Sequence, residues 1–136
     1  LFLEGPWTAD ELDALSITVL EALALFWGEV AFSRSVDGAS HILGFTDNTG
    51  AEWAARRETP HAILMQKVAA RRAAYLHEHS IFSRTYRVPS LQNSWADDLS
   101  RGRVAKVLAE AVSLGLSPLR VHLHDLRDTA WLCARA

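Results

Sequence analysis

Cysteine occurs only once in the 136 residues, at Cys133. A single cysteine excludes an internal disulfide framework and any zinc site built mainly from cysteines. The sequence also lacks an apolar run near the roughly 20 residues of a membrane-spanning helix, since its longest run is Ala22–Trp27. A basic segment followed by an apolar stretch, the pattern of a signal peptide, is absent as well. We therefore expect an intracellular protein with no membrane span, in a compartment that the sequence does not specify.

Length and composition together favour one globular domain. Apolar residues make up 49% of the chain and charged residues 22%, close to the average of globular proteins, which excludes global disorder. A chain of 136 residues can bury a substantial core as one domain, whereas two independent domains would each be small. We expect a single domain over residues 1–136, with a core at about 13–114 and a C-terminal extension at 115–136.

Acidic and basic residues are unevenly distributed, although the formal net charge is only −2. Residues 1–55 contain nine acids and one base, and residues 56–103 contain nine bases and four acids. Twelve of the fourteen bases are arginine, which suits bidentate contact with phosphate better than lysine does. One interpretation is a metal-binding carboxylate site beside a track for a polyanion, and the other is a set of solvated helix faces.

Hydrophobic periodicity and turn residues predict alternating helices and strands. Apolar residues recur at three- and four-residue steps from about Asp13 to Ser33, which predicts one long helix after a capping box of Thr8 and Glu11. The other predicted elements are a buried strand at His41–Phe45, a second strand at Ile81–Val88, a third candidate strand at Leu119–Leu123, and helices at Thr49–Arg57, from Thr59 to His79 and from Gln92 or Asn93 to Gly115. This order favours an α/β layered fold with a sheet flanked by helices.

Three acidic residues stand at positions suited to chemistry. Glu21 lies in an apolar helix segment, Asp47 directly follows the first strand, and Asp97 lies near the start of a later helix. Sites in open α/β sheets form beyond the carboxyl ends of the strands, where such carboxylates can meet. Grouped carboxylates repel each other unless a cation neutralises them, and oxygen-rich sites suit Mg²⁺ or Mn²⁺. A pair of such ions can activate water and stabilise the leaving oxygen at a phosphodiester.

Each of the three acids also has a purely structural interpretation. Glu21 could mark the edge of the apolar stripe of its helix. Asp47 could cap the helix that follows the strand, and Asp97 could favour the positive end of its own helix. The spacing of the three acids does not decide between these interpretations and a metal site.

Three sequence segments surround these acids, in order along the chain. Residues 17–24 read Ile-Thr-Val-Leu-Glu-Ala-Leu-Ala, and residues 44–51 read Gly-Phe-Thr-Asp-Asn-Thr-Gly-Ala. Residues 87–101 read Arg-Val-Pro-Ser-Leu-Gln-Asn-Ser-Trp-Ala-Asp-Asp-Leu-Ser-Arg. In order, they resemble the first long helix, the Ser/Thr-Asp-Asn strand end and the last motif of the RNase H domains of retroelement reverse transcriptases. The resemblance spans about residues 15–105 and is strongest toward the DIRS-like and Gypsy-like groups.

The resemblance implies an RNase H-like fold and a set of site residues. Glu21, Asp47 and Asp97 match three of the family's four metal-binding carboxylates, with Asp97 rather than Asp98 at the Ala-Asp of the last motif. The supporting polar positions of the family match Asn48 and Asn93 in this chain. The family cleaves the RNA strand of an RNA–DNA hybrid by hydrolysis with two Mg²⁺ or Mn²⁺ ions. Our candidates for contact with the nucleic-acid backbone are Arg56, Arg57, Arg71, Arg72, Arg84 and Arg87.

The family's first carboxylate has no counterpart in this chain, because only about a dozen residues precede the long helix. We therefore expect an RNase H-like fold truncated at its N-terminus, as a shortened copy, a co-opted piece or one part of a split protein. A first-strand Asp from elsewhere would complete a ribonuclease H-type endonuclease. The alternative is a non-catalytic assembly or scaffold module in a larger complex.

The missing N-terminal strands would leave one edge of the strand His41–Phe45 without a partner. An apolar strand edge invites pairing with another strand. We expect this edge to be covered, by Leu1–Trp7, by Leu119–Leu123 or by a strand from a neighbouring chain.

Overall fold

The computed structural model describes residues 7–36, 38, 40–47 and 63–120 of the chain. It contains five α-helices, two β-strands and one 3₁₀ helix in these residues. In chain order they are α1 (Ala9–Ala14), α2 (Ile17–Ser35), β1 (His41–Thr46), α3 (Ile63–Glu78), β2 (Phe82–Arg87), the 3₁₀ helix (Ser90–Gln92), α4 (Ser94–Ser100) and α5 (Val104–Ser113). The mixture of helices with a parallel strand pair agrees with the predicted α/β class.

The segment from Asp13 to Ser33, predicted as one helix, belongs to two helices, because Leu15 ends the first helix and Ser16 caps the second. The predicted capping box of α1 is confirmed: Glu11 N donates to Thr8 Oγ1 at 3.2 Å, and Thr8 N donates to Glu11 Oε2 at 2.7 Å. Leu15 is extended, and Ser16 then caps α2 by accepting a hydrogen bond from Val19 N at 3.4 Å. The extended Leu15 therefore ends α1, and the side chain of Ser16 begins α2.

The two strands form a parallel pair with His41 opposite Phe82 and Thr46 opposite Arg87. Parallel strands need a crossover connection, and the helix α3 lies within it. Both strands therefore end at the same edge of the sheet, where Asp47 follows β1 and Pro89-Ser90 follows β2. This common end is where the candidate site lies.

The core lies between the helices α2 and α3 and one face of the strand pair. Its most deeply buried side chains are Leu20, Leu23, Val30 and Val68. Leu64 and Tyr75 of α3 are partly buried and pack against this core cluster, as predicted from the periodicity of α3. The other face of the sheet is exposed, which contradicts the prediction of a buried first strand. Because side chains alternate along a strand, only every second residue of β1 turns toward the helices.

The predicted helix from Gln92 or Asn93 to Gly115 is also two helices. Gly102 has a positive φ of 73° and lies in the turn between α4 and α5. Gly115 ends α5, as predicted, with a φ of 76° and with Leu116 N donating to the Ala111 carbonyl at 3.0 Å. Glycine adopts this left-handed conformation without a steric penalty, so each of these glycines allows the chain to leave a helix.

Some predictions fall on residues outside the described ranges. They include the helix at Thr49–Arg57, the start of the helix after Thr59, and most of the segments Leu1–Trp7 and Leu119–Leu123. Among the described residues, β1 pairs with β2 and with no other strand. The prediction that its second edge is covered therefore stays a prediction. In the same part of the chain, no helix has the length and apolar character needed to cross a membrane.

Candidate functional site at the carboxyl end of the sheet

Asp47 lies close enough to Glu21 for its charge to act on the Glu21 carboxyl. Glu21 lies on α2 and is partly buried, and Asp47 directly follows β1. Burial raises the pKa of the Glu21 carboxyl above its usual value, and the negative charge of Asp47 raises it further. Two of the three predicted carboxylates therefore lie near each other, one on α2 and one just after β1.

The Asp47 carboxylate is held by a residue that was not among the predicted site residues. Ser90 Oγ donates a hydrogen bond to Asp47 Oδ2 at 2.8 Å across 43 positions of sequence. Ser90 begins the 3₁₀ helix just after β2, so its position follows from the parallel pairing of the strands. The sequence indicates only that this serine follows the second predicted strand and Pro89, whereas its contact with Asp47 depends on the register of the two strands.

A groove of about 330 Å³ is lined in part by Glu21 and by Thr46, the residue before Asp47. It runs between α2 and β1, and its lining includes Glu21, Thr46 and the predicted polar residue Asn93. The apolar part of its wall comes from Leu25, Phe32 and Ile42. The groove therefore combines polar side chains with an apolar wall.

Asp97 does not line this groove, although its neighbour Ala96 does. Both carboxylate oxygens of Asp97 accept hydrogen bonds from Arg101 Nε, at 3.0 and 2.9 Å, one helical turn later. In the described part of the chain, no three His, Cys, Asp or Glu side chains form a group that could hold a metal ion. The predicted third ligand is thus paired with an arginine, while Glu21 and Asp47 approach each other.

Asp98, which the last motif leaves outside the predicted site, has a structural role. Its carboxylate accepts hydrogen bonds from Arg103 Nη1 at 3.0 Å and from Lys106 Nζ at 2.6 Å. These bonds, that from Lys106 most of all, lower the pKa of Asp98. Because Arg103 and Lys106 lie in the turn and in α5, Asp98 ties the two short helices together.

The predicted nucleic-acid contacts divide into three groups. Arg71, Arg84 and Arg87 are exposed, and they remain candidates. The prediction that Arg72 contacts nucleic acid is corrected by its burial. Arg72 is only 4% exposed, and its guanidinium donates to the buried carboxylate of Glu29 at 2.6 and 2.7 Å. A guanidinium bonded in the interior cannot reach a phosphate on the surface. Asn48, Arg56 and Arg57 lie outside the described residues.

The carboxylate pair has the chemistry of a partial site for a divalent cation. Two carboxylates that repel each other favour a cation between them, and oxygen ligands suit Mg²⁺ or Mn²⁺. Burial is the larger cause of the raised pKa of Glu21, and the negative charge of Asp47 adds to it. Glu21 and Asp47 would supply two ligands, with the remaining positions left to water or a substrate oxygen.

The raised pKa of Glu21 predicts a pH-dependent cost to stability. A carboxyl whose pKa is higher in the folded than in the unfolded protein contributes stability at low pH and loses it as the pH rises through the folded pKa. We therefore expect Glu21→Gln to raise the urea midpoint at about pH 7, and to raise it less at about pH 4. The matched control is Glu78→Gln on the exposed end of α3. Equal effects of both substitutions at both pH values would contradict the raised pKa of Glu21.

Comparison with known proteins leaves the family of this chain open. No protein-family model, no curated protein and no solved structure matches it.

Proposed function

We propose that this chain is an RNase H-like domain whose carboxylates bind Mg²⁺ or Mn²⁺ for the hydrolysis of RNA in RNA–DNA hybrids. The observation that supports the proposal best is the position of Asp47 at the carboxyl end of the parallel strand β1, with Glu21 on the neighbouring helix α2 near enough for the Asp47 charge to add to the effect of burial on its pKa. In the resemblance drawn from the sequence, these same two residues are metal ligands.

Each residue of the site has a definable task in this proposal. Glu21 and Asp47 hold the metal, Ser90 fixes the Asp47 carboxylate through its hydrogen bond, and Asn93 presents an amide to the groove. A bound divalent cation would supply an activated water and neutralise charge on the phosphate. The exposed Arg87 at the end of β2 would contact the nucleic-acid backbone.

The chain as it stands is expected to be slow or inactive on a hybrid. The first family carboxylate is missing from the sequence, and Asp97 is paired with Arg101. Losing ligands of a two-metal site leaves an ion poorly held, and the alignment of the attacking water depends on both ions. The assay is cleavage of a labelled RNA–DNA hybrid with Mg²⁺ and with Mn²⁺. Rapid metal-dependent cleavage that Asp47→Asn abolishes would contradict the proposed incompleteness.

Metal binding can be measured without any turnover. Mn²⁺ added to the isotope-labelled protein should broaden the NMR signals of residues near Glu21 and Asp47 first. We expect Asp47→Asn to abolish this selective broadening, and Asp10→Asn, on the exposed surface of α1, to preserve it. Broadening that is uniform over all acidic residues would remove the support for a metal site.

A second candidate function is a non-catalytic assembly module that keeps the fold without turnover. The pairing of Asp97 with Arg101 favours it, because the predicted third ligand is engaged within its own helix. Mn²⁺ binding distinguishes the two functions: selective binding at Glu21 and Asp47 supports the hydrolase, and its absence supports the assembly module.

A further inference from the structure

A second groove follows the outer side of β2, away from the carboxylate pair. Its volume is about 770 Å³, and it lies between β2 and the second half of α3. Its walls include Leu76 and His77 from α3, and Phe82, Arg84 and Tyr86 from β2. We call it the β2 groove. Arg84 is one of several candidates for contact with the nucleic-acid backbone, and the hydrolase proposal assigns no role to this groove.

Aromatic rings remain exposed on the β2 side of this groove. Phe82 is 53% exposed and Tyr86 is 44% exposed, although both are large apolar side chains. Phe82, Arg84 and Tyr86 are alternate residues of one strand, so all three project from the same face of the sheet. Phe82 and Tyr86 are four residues apart, so they lie about 13 Å apart along the strand at about 3.3 Å per residue.

The aromatic surface continues from β2 onto β1. The rings of Phe45 and Tyr86 stack with centroids 6.0 Å apart, and the rings of His41 and Phe82 lie 5.7 Å apart. Phe45 is 56% exposed. The result is a two-strand platform of exposed rings beside a groove, rather than isolated apolar residues on a surface.

The charge of the β2 groove is positive. Arg84 is exposed, its guanidinium carbon lies 5.5 Å from the centroid of the Phe82 ring, and within the described residues it has no ion pair. No Asp or Glu is among the described residues that line the groove. The exposed imidazole of His77 also lines this groove.

We propose that the β2 groove and its aromatic platform bind single-stranded nucleic acid. Proteins hold single strands by stacking bases on exposed aromatic rings while cations in a groove contact the phosphates. Arg84 between two exposed rings provides both elements within five residues of one strand. Charge complementarity favours this occupant over an apolar protein segment, which would bury the Arg84 guanidinium without a counter-charge. The proposal does not depend on hydrolysis at Glu21 and Asp47.

The test is the binding of fluorescent oligouridine and oligothymidine to the full 136-residue chain, measured by anisotropy. We expect micromolar binding that weakens as the salt concentration rises. Arg84→Ala should weaken binding about tenfold and reduce the salt dependence by about one phosphate contact. Tyr86→Ser should weaken it similarly, whereas Tyr86→Phe, which keeps the ring, should bind like the wild type.

The charge control is Arg34→Ala, which removes an exposed arginine near the end of α2 that does not line the groove. It should leave binding within a factor of about two, since only the net charge changes. Circular dichroism melts of every variant establish that each one is folded. Binding is measured in EDTA, without divalent cations, so that failure of the hydrolase proposal and failure of this one are distinguishable.

Two results would overturn the proposal. One is the absence of oligonucleotide binding, or binding that Arg84→Ala and Tyr86→Ser leave unchanged in folded protein. The other is self-association of the chain that the same two substitutions abolish while no oligonucleotide binds. That result would assign the platform to a second copy of this chain. Preference for oligouridine over oligothymidine would identify RNA as the favoured strand, and the reverse would identify DNA.

Discussion

Glu29→Ala is expected to lower the free energy of unfolding by about 3–5 kcal/mol, the range for removing one partner of a buried ion pair. Arg72 Nε donates to Glu29 Oε2 at 2.6 Å, and Arg72 Nη2 donates to Glu29 Oε1 at 2.7 Å. Glu29 is 2% exposed and Arg72 4%. Without the carboxylate, the guanidinium would remain in the interior and lose both of these charge-assisted bonds. Urea denaturation of the variant and the wild type measures the difference.

The matched control is Arg101→Ala, which breaks the exposed ion pair with Asp97. We expect a loss of less than about 1 kcal/mol, because solvent screens an exposed pair and supplies replacement partners. Replacing Glu29 and Arg72 together with methionine should recover much of the lost stability, since no charge is then left buried. If Glu29→Ala costs no more than Arg101→Ala, the pair is not buried in solution as the structure describes.

The buried pair connects the three elements that position the candidate site. Glu29 lies on α2, Arg72 on α3, and Ser83 of β2 joins them by donating to Glu29 Oε1 at 2.5 Å. Arg72 Nη2 also lies 3.0 Å from Ser83 Oγ. Glu21 stands on the same helix as Glu29, and Ser90 follows the same strand as Ser83. The network therefore helps to set the distance between the helix that carries Glu21 and the strand end beside Asp47.

This network marks a limit of what the sequence could reveal. Glu29 and Arg72 are 43 residues apart, and neither belongs to a motif, so no local pattern connects them. Arg72 follows Arg71 in a charged pair, and both were candidates for contact with nucleic acid. The helical rotation of about 100° between neighbours instead places one arginine in the core and the other in solvent. Only the packing of α3 against α2 determines which of the two is buried.

Features with a local cause were predictable. The capping box of Thr8 and Glu11, the glycine end of α5 and the two strands all follow from residues close together in the sequence. The breaks inside the two predicted long helices also have local signals, at Ser16 and Gly102, which the apolar periodicity concealed. Periodicity continues across a break when both helices bury the same face, so it does not locate the break.

The candidate site was predictable only in part, for a related reason. Glu21 and Asp47 could be paired from the sequence because Asp47 follows a strand and the family resemblance names both. The Arg101 pairing of Asp97 arises from a side chain one helical turn away, at a spacing that always brings residues together on a helix. The hydrogen bond from Ser90 to Asp47 required the parallel register of the strands, which a sequence does not state.

Leu23→Ala is the second substitution expected to have a large effect. Leu23 is completely buried, at 0% exposed, within the core cluster of α2 and α3. Truncating a buried leucine removes apolar contacts and leaves a cavity, which costs about 2–5 kcal/mol. We expect a value near the upper half of that range, about 3–4 kcal/mol, because the site lies in mid-helix and has little freedom to collapse. The free energy of unfolding in urea is the measurement.

The control for Leu23→Ala is Leu114→Ala, at a leucine that is 69% exposed just after α5. The same chemical change there should alter stability by less than about 0.5 kcal/mol. Domains of this size are stable by only about 5–15 kcal/mol, so the core substitution would remove a large share of the total. A loss below about 1 kcal/mol for Leu23→Ala would mean that α2 and α3 do not pack as described.

The cavity left by Leu23→Ala would also loosen the packing of α2. Because Glu21 lies two residues before Leu23 on this helix, its position relative to Asp47 would become less fixed. In the folded fraction of Leu23→Ala, the selective Mn²⁺ broadening proposed for the carboxylate pair should then weaken together with stability.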